Sequence, residues 1–523
     1  MLPSKTSVDQ DASGALQSSP QPRWTQISAV TLGLLAAAAT WLRFLFLARK
    51  PFWFDECFSV EIARMSWHDF LRLLWWREAN MSLYYLLLRG WLLVGSVIAG
   101  GASPAFIRSL SILISLAGLA AIFWLGSELF DRRVGLIACA LMSCNAYHIR
   151  YAQEARSYSL FVLLATLSSG FFVACLQDPS VRNRRGYVLT SVLAVYSHFY
   201  ALLLLASQWL SVRGVKNAPA TRVNSAPLRR AWITIGIAVL PLLVFVAKTG
   251  AGPIRWIWRP NPHDVLDFFE HLAGNDGLAL LLVYTAACLA ALLPLRARLF
   301  RREAGWDVWR CQFLLIWILF PVGLTLALSL ARPFFLGRYF SFCLPALILL
   351  AAAGLSTLRK PWMLGICLAA MMLFSLQGTF SYYDHDFDLG RDGSEAAANY
   401  ILDHAEAGDA ILFHIAEARI PFEFFSSVRG AGGGAAAPEI IFPRHGDRLD
   451  YRDVTGKPTL ALLRSVSSRY PRLWVVLMSN RSAEHPDATT EMLSQVLGGA
   501  FLRMGRVQFP QVEVRLYSEP GQP

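Results

Sequence analysis

The chain has 523 residues, of which 55% are hydrophobic and only 16% charged, with 48 Lys/Arg against 36 Asp/Glu and a formal net charge of +12. Apolar runs of span length recur along it, which excludes an ordinary water-soluble globule and reads as a polytopic α-helical membrane protein. The eight cysteines include no Cys-x-x-Cys pair and no Cys/His metal spacing, so neither a disulfide framework nor a metal site is expected.

Residues 1–24 are polar and rich in Ser, Gln and Pro, the composition of a disordered tail. The first apolar segment, about Ile27 to Ala48, is longer than a signal-peptide core and lacks a convincing cleavage site, so it reads as an uncleaved span. A long loop, 49–104, follows. It opens with Phe52-Trp53-Phe54-Asp55-Glu56 and holds two apolar stretches, Ser66 to Trp76 and Leu83 to Trp91, both read as helices lying at the membrane interface. If 82–99 were instead a full span, every later loop would change sides.

Further spans are expected at 105–127, 134–149, 157–176, 231–248, 278–295, 311–331, 339–357 and 361–379. The apolar run 188–211 is interrupted by Tyr196-Ser197-His198-Phe199-Tyr200 and reads as two half-spans that rise and return, giving about eleven membrane segments. Beyond Tyr382 the hydropathy falls. The region 381–523 reads as a soluble α/β domain, with buried strands at Ala410 to His414 and Leu473 to Met478, helices at Glu395 to Ala405 and Asp487 to Leu497, and a half-buried strand around Val512 to Leu516. Gly430 to Ala437 is a glycine-rich loop with no Gly-Lys-Ser/Thr after it, so no phosphate-binding P-loop is expected.

Basic residues set the orientation. Loops 128–133, 177–187, 213–230, 296–310 and 358–360 carry 17 Lys/Arg in 53 residues, whereas 49–80, 150–156, 249–277 and 332–338 carry 11 in 75. The first set is therefore expected to be cytoplasmic, together with the tail, and the acidic pair and the C-terminal domain to face the opposite, periplasmic or extracellular, side of a cell inner membrane. The positive charge is accounted for by these loops, so no nucleic-acid partner is implied.

Three external elements carry candidate chemistry. Asp55 can merely cap the helix that starts at Glu56, or, held among aromatic rings at the membrane surface, accept a proton from an incoming hydroxyl. The loop Tyr151-Ala152-Gln153-Glu154-Ala155-Arg156-Ser157-Tyr158 can be an ordinary helix start with a snorkelling arginine. It can equally present Glu154 to an acceptor while Arg156 holds Glu154 or a phosphate. Arg338, at the head of a late span, and Arg255 and Arg259, beside tryptophans, are cations suited either to interfacial anchoring or to a lipid phosphate. His198 is expected to satisfy backbone groups freed at the break, or to hydrogen-bond across helices, rather than to bind metal.

Taken in order, Asp55-Glu56 after the first span, Leu83-Tyr84-Tyr85 in the same loop, the 151–158 loop and Arg338-Tyr339 resemble the protein mannosyltransferase and aminoarabinose-transferase superfamily over roughly residues 25–380. These are GT-C-fold transferases. The resemblance implies transfer of a sugar from a polyprenyl-phosphate donor, with inversion, to a hydroxyl of a glycolipid, glycan or protein. It implies Asp55 as the catalytic carboxylate. With the residues read above, the candidate catalytic set is Asp55, Glu56 and Glu154, and the candidate substrate-binding set is Tyr84, Tyr151, Gln153, Arg156, Tyr158, His198, Arg255, Arg259, Arg338 and Tyr339. The resemblance names no cofactor and leaves a divalent cation open. Relatives often carry His-Pro-Pro where this chain has Asn80-Met81-Ser82, which shifts the expected phosphate contacts onto Arg255, Arg259 and Arg338. The rival reading is a lipid or polysaccharide flippase. Transporters place ionisable groups near mid-membrane, whereas here the acids gather at one mouth.

Overall fold

The computed structural model describes residues 23–76, 78–98, 103–212, 225–250, 257–274, 277–296, 305–385, 393–430, 437–443, 456–466, 468–478 and 487–521. The polar stretch 1–22 and most of the glycine-rich loop lie outside these residues. The N-terminal part is a bundle of helices. Helix α1 (Arg23–Phe44) enters it, and α2 (Phe54–Arg64), α3 (Trp67–Trp76) and α4 (Ser82–Ile98) follow at one end. Next come α5 (Pro104–Leu129), α6 (Arg132–Cys144), α7 (Ala146–Ala152), α8 (Tyr158–Gln177), α9 (Val181–Ser197), α10 (Ala201–Val212) and α11 (Ser225–Thr249). The bundle closes with α12 (Pro262–Ala273), α13 (Gly277–Leu292), α14 (Trp306–Ser329), a 3-10 turn Gly337–Cys343 that leads into α15 (Leu344–Ser356), and α16 (Pro361–His385).

Among the described residues, seven helical segments are long and apolar enough to cross a membrane. They cover α5, α8, α11, α13 with its short extension, α14, the 3-10 turn with α15, and α16. This is the architecture of a multi-pass membrane protein. The segments of α8 and α15 are almost wholly enclosed, whereas α11, α13 and α16 turn large apolar side chains outward, among them Ile237, Leu282 and Ile366. Hydrocarbon needs no polar cover, so such faces suit lipid. Helix α4 stays at one end: Ser82 bonds the Tyr196 carbonyl at the end of α9, and the Trp91 indole bonds Phe106 in the first turn of α5.

Three expected spans differ in detail. The chain leaves α1 at Phe44 rather than Ala48, because the carbonyls of Leu47, Lys50 and Pro51 are taken by the Arg108 guanidinium instead of a helical ladder. The expected span 134–149 breaks at Asn145. Its side-chain oxygen caps α7 by accepting the His148 amide, and its nitrogen donates to the carbonyls of Leu272 and Ala273 at the end of α12. The carbonyls exposed by the break are met by Arg43, which donates to Ser143, and by Thr379, which donates to Cys144. The expected half-spans are unequal: α9 has 17 residues, about 25 Å at 1.5 Å per residue, and α10 has 12. The turn between them lies at the end that carries Phe334, which accepts from the Tyr200 hydroxyl, and α10 runs back until Ser211 accepts from Trp309 in the first turn of α14.

The C-terminal part holds α17 (Ser394–His404), α18 (Arg419–Gly430), α19 (Leu460–Val466), α20 (Ala488–Ala500) and five strands: β1 (Ala410–Phe413), β2 (Glu439–Phe442), β3 (Arg472–Met478), β4 (Phe501–Phe509) and β5 (Val512–Pro520). The sheet order is β2-β1-β3-β5-β4, with β1 parallel to both β2 and β3, and β5 antiparallel to β3 and β4. Strand β1 is buried throughout and β3 over its five middle residues, as parallel strands covered on both faces require. Strand β4 has no counterpart in the sequence reading, because its exposed Leu502 and Met504 spoil the alternation. This domain sits on the α2 end of the bundle, where the ring of Phe424 from α18 stacks on Phe52 at 4.7 Å.

Close packing in the bundle rests on small residues, as is usual where no hydrophobic effect separates helix from lipid. A Cβ on Gly354 of α15 would lie 1.7 Å from the Ala287 carbonyl oxygen of α13. Because the obstacle is backbone, Gly354→Val must push the two helices apart. We expect it to cost about 1–3 kcal/mol. A thermal unfolding midpoint in detergent that matches the wild type would show that the approach is not needed.

Candidate active site

The site forms where the α1–α2 connection, the loop between α7 and α8, the α9–α10 break and the 3-10 turn before α15 meet. Its foundation is the pair Glu56–Arg108. Both side chains are fully buried, and the guanidinium grips both carboxylate oxygens, at 2.8 and 2.6 Å. Glu56 also accepts the amide of Ala155 at 2.8 Å, which pins the 153–157 loop, and the more distant amide of Trp53 at 3.4 Å, which closes the start of α2. The remaining donors of Arg108 hold the carbonyls of Lys50 and Pro51, and its face lies 5.1 Å from the ring of Phe52.

Asp55 is therefore presented one residue away from a locked carboxylate, and its own surroundings are different. Its Oδ2 lies 3.5 Å from Arg156 and 3.4 Å from Arg338, but it receives no aligned hydrogen bond. Arg156 is anchored by the Asp55 carbonyl and the Ser59 hydroxyl, each at 3.3 Å. Arg338 reaches the same carboxylate from the 3-10 turn and lies over the ring of Trp53 at 5.9 Å. One carboxylate thus faces two cations, the three groups brought together by three distant segments.

Beside these cations lie aromatic and imidazole groups with spare donors. Tyr151 packs between Tyr147 and Tyr158, each ring pair at 4.7 Å. His198 stacks on Phe161 and against Tyr339, both at 4.9 Å, and is within electrostatic reach of Arg156 and Arg338. Its Nδ1 accepts the Tyr200 amide, so in the neutral ring the hydrogen sits on Nε2. That Nε2 and the Tyr158 hydroxyl are buried and make no hydrogen bond among the described residues.

The other expected residues lie elsewhere or are already occupied. Glu56, expected in catalysis, has both oxygens committed to Arg108 and to backbone amides, which makes it an anchor. Gln153 donates to the carbonyls of Arg43 and Leu45 and accepts from Tyr382, so it ties the loop to α1 and α16. Tyr84 bonds Ser111 at 2.8 Å and fastens α4 to α5. Glu154 pairs with Lys50 at 3.4 Å, and Lys50 also bonds Tyr382 at 3.0 Å. Burial outweighs the pull of Glu154 and lowers the Lys50 ammonium to about 8. Glu154 stays at the same mouth as Asp55, since its loop is bonded to Glu56. Arg259 is exposed before α12 and makes no ion pair or hydrogen bond among the described residues, while Arg255 lies outside them.

Three residues at or beneath the site were not anticipated: Lys50, Arg108 and Glu417. A signal existed for Arg108. An arginine inside an apolar span demands a partner, and the preceding loop offers Asp55, Glu56, Glu61, Asp69 and Glu78, among which the sequence does not choose. Nothing local marks Glu417, which lies in the C-terminal domain within electrostatic reach of Asp55. Among the described residues, no three His, Cys, Asp or Glu side chains come together as a metal-binding group.

Fold and site together define a multi-pass membrane protein of the GT-C fold, with its polar cluster at one end beneath a soluble domain. Solved structures share that fold. ArnT from Cupriavidus metallidurans in the apo state superposes with a TM-score of 0.58 at 12% identity, covering 94% of this chain and 98% of that one. The same protein bound to undecaprenyl phosphate gives a TM-score of 0.55 at equal identity and coverage. No protein-family model and no curated protein sequence matches the chain. At such identity the likeness is one of fold.

If the Glu56–Arg108 pair holds the site together, Arg108→Met leaves a buried carboxylate unpaired and should cost about 3–5 kcal/mol. Adding Glu56→Gln should recover part of that loss. Thermal unfolding of the two variants reads both effects, and an R108M protein as stable as the wild type would remove the pair from this role.

Proposed function

We propose that the protein is an integral-membrane inverting glycosyltransferase. It moves a sugar from a polyprenyl-phosphate donor to a hydroxyl on an envelope glycolipid, glycan or protein. The observation that carries this reading is Asp55, a carboxylate with an uncommitted oxygen, set against two guanidinium groups at an aromatic mouth of the bundle. A lipid-phosphate donor needs apolar surroundings for its tail, cations for the departing phosphate and a base for the acceptor, and no nucleotide-binding fold.

In this reading the phosphate of the donor lies against Arg156 and Arg338, with the Tyr158 hydroxyl and His198 Nε2 as further donors. Tyr151 and Tyr339 line the sugar. The acceptor oxygen attacks the anomeric carbon as its proton passes to Asp55. The bond from that carbon to the phosphate oxygen breaks, and the electron pair leaves with the polyprenyl phosphate, whose charge the two arginines balance. Glu154 stands at the same mouth, paired with Lys50, and orients the acceptor. The ArnT complex with undecaprenyl phosphate supports a lipid phosphate as the kind of ligand this fold accommodates.

Arginines of the other end of the bundle support its assignment to the cytoplasm: Arg133 bonds Leu358, and Arg310 bonds Leu129 and pairs with Asp307. The site and the C-terminal domain then face the periplasm of an inner membrane.

Asp55→Asn keeps the shape and removes the base, so transfer should fall by about 10²–10⁴-fold while the protein still folds and inserts. Assays should use purified protein in nanodiscs with polyprenyl-phosphate-linked mannose, galacturonic acid and aminoarabinose. Full transfer by D55N with any competent donor would reject the proposed base. Arg338→Ala should also weaken donor binding, seen as a raised donor KM.

A further inference from the structure

Lys50 is a buried cation to which the reaction above gives no step of its own. It lies in the connection between α1 and α2 and is held from both ends. Arg108 grips its carbonyl at 2.8 Å, while its ammonium reaches Glu154 Oε1 at 3.4 Å and donates to the Tyr382 hydroxyl at 3.0 Å. The ammonium also lies 5.5 Å from the centre of the Tyr382 ring. Tyr382 in turn donates to Gln153 Oε1 at 3.0 Å, so two successive side chains of the loop between α7 and α8 meet one post.

That post is firmly seated. Beside Tyr382 on α16, Tyr383 donates to the Leu42 carbonyl near the end of α1, and Thr379 donates to the Cys144 carbonyl at the end of α6. Glu154, by contrast, is held through one oxygen. The residue is only 6% exposed, yet its Oε2 makes neither a hydrogen bond nor an ion pair among the described residues. A carboxylate so enclosed needs a donor at its second oxygen, and a hydroxyl bound at the mouth supplies one. The mouth is close: the bond from the Ala155 amide to Glu56, at 2.8 Å, lies one residue from Glu154 on one side and one residue from Asp55 on the other.

We propose that Lys50 and Tyr382 are positioning residues, which fix the Glu154 carboxylate through one oxygen so that the other meets the acceptor hydroxyl while Asp55 takes its proton. This rests on the glycosyltransferase reading above. Neither residue touches substrate. Lys50 acts through Glu154, by charge and by fixing the direction of the carboxylate, and Tyr382 acts through Lys50, by holding the ammonium beside the loop.

The arrangement has an alkaline limit. Burial lowers the Lys50 ammonium to about 8 against the pull of Glu154 and Glu56, and Arg108 and Arg150 add to the lowering. With Tyr382, these are the charged and titratable groups that face it from α2, α5, α7, α16 and the loop. Above about pH 8 the lysine is neutral, the charge that holds Glu154 is lost, and acceptor kcat/KM falls.

The test uses the full chain in nanodiscs with a competent polyprenyl-phosphate sugar and an octyl glycoside as the acceptor probe. Lys50→Met should lower acceptor kcat/KM about ten- to a hundredfold, leave the donor KM unchanged and remove the alkaline fall. Lys50→Arg keeps its charge across the range, so it should recover most of the activity at neutral pH and carry the fall to higher pH. Where the larger side chain unsettles the fold, the background Glu154→Gln serves instead: adding K50M to E154Q should lower activity no further. A fall near pH 8 that persists in K50M or K50R overturns the proposal, as does an equal loss from K50M with and without the Glu154 carboxylate.

Wild-type protein that neither transfers nor hydrolyses any lipid-linked sugar sinks the transferase reading instead, and the pair is then tested by unfolding midpoints. K50M and E154Q together should lose less stability than the sum of their separate losses. Additive losses show that the two side chains do not act as a unit.

Discussion

The buried bond between Glu56 and Arg108 is the constraint on which the rest of the site depends. Neither charge can sit in a low-dielectric bundle alone, and the cost of separating them is far greater than that of an exposed ion pair. Arg108 has more donors than Glu56 can use, so it also organises the carbonyls of Lys50 and Pro51. Glu56 has lone pairs to spare, so it captures the amide of Ala155. One ion pair in this way joins the connection after the first helix, the first turn of α2 and the loop before α8. Asp55 is placed by that joint without having to hold any of it.

This explains why two adjacent carboxylates have such different surroundings. Glu56 faces inward and is saturated. Asp55 faces the mouth with two guanidiniums near it and an oxygen left over. A group saturated by structural bonds is a poor proton acceptor, and a group with spare capacity in an electropositive setting can meet a substrate. The division of labour is a consequence of helical geometry, since successive residues on α2 point about 100° apart. Lys50 does for Glu154 part of what Arg108 does for Glu56, by a longer and looser contact.

The interior of the bundle is built with the same economy. Breaks at Asn145 and His198 free backbone groups, and nearby side chains recover them: Arg43 and Thr379 at the first, Asn80, whose side-chain oxygen accepts the Phe199 amide, at the second. At the second break His198 also takes the Tyr200 amide on Nδ1, which leaves its Nε2 to face the cluster. Deeper down, Tyr187, Gln208, Trp232 and the serines 168, 169 and 191 form a closed network joining α8, α9, α10 and α11. Such networks fix helices that dispersion forces alone would let slide.

Long apolar runs, the gathering of acids after the first span and around residue 154, and the interruption at His198 could be read from the sequence. Each is a local property: a bilayer imposes its length on any segment within it, and a polar run declares itself without reference to neighbours. The shift to strands and helices beyond Tyr382 was legible for the same reason. Only the folded chain separated Asp55 from Glu56, turned Gln153 and Tyr84 into fasteners, left Arg259 exposed without an ion pair among the described residues and broke the helix at Asn145. Those outcomes depend on which side chain reaches a partner first among groups dozens or hundreds of residues apart, as with Glu56 and Arg108. Spacing along a chain holds no record of that competition until packing closes it.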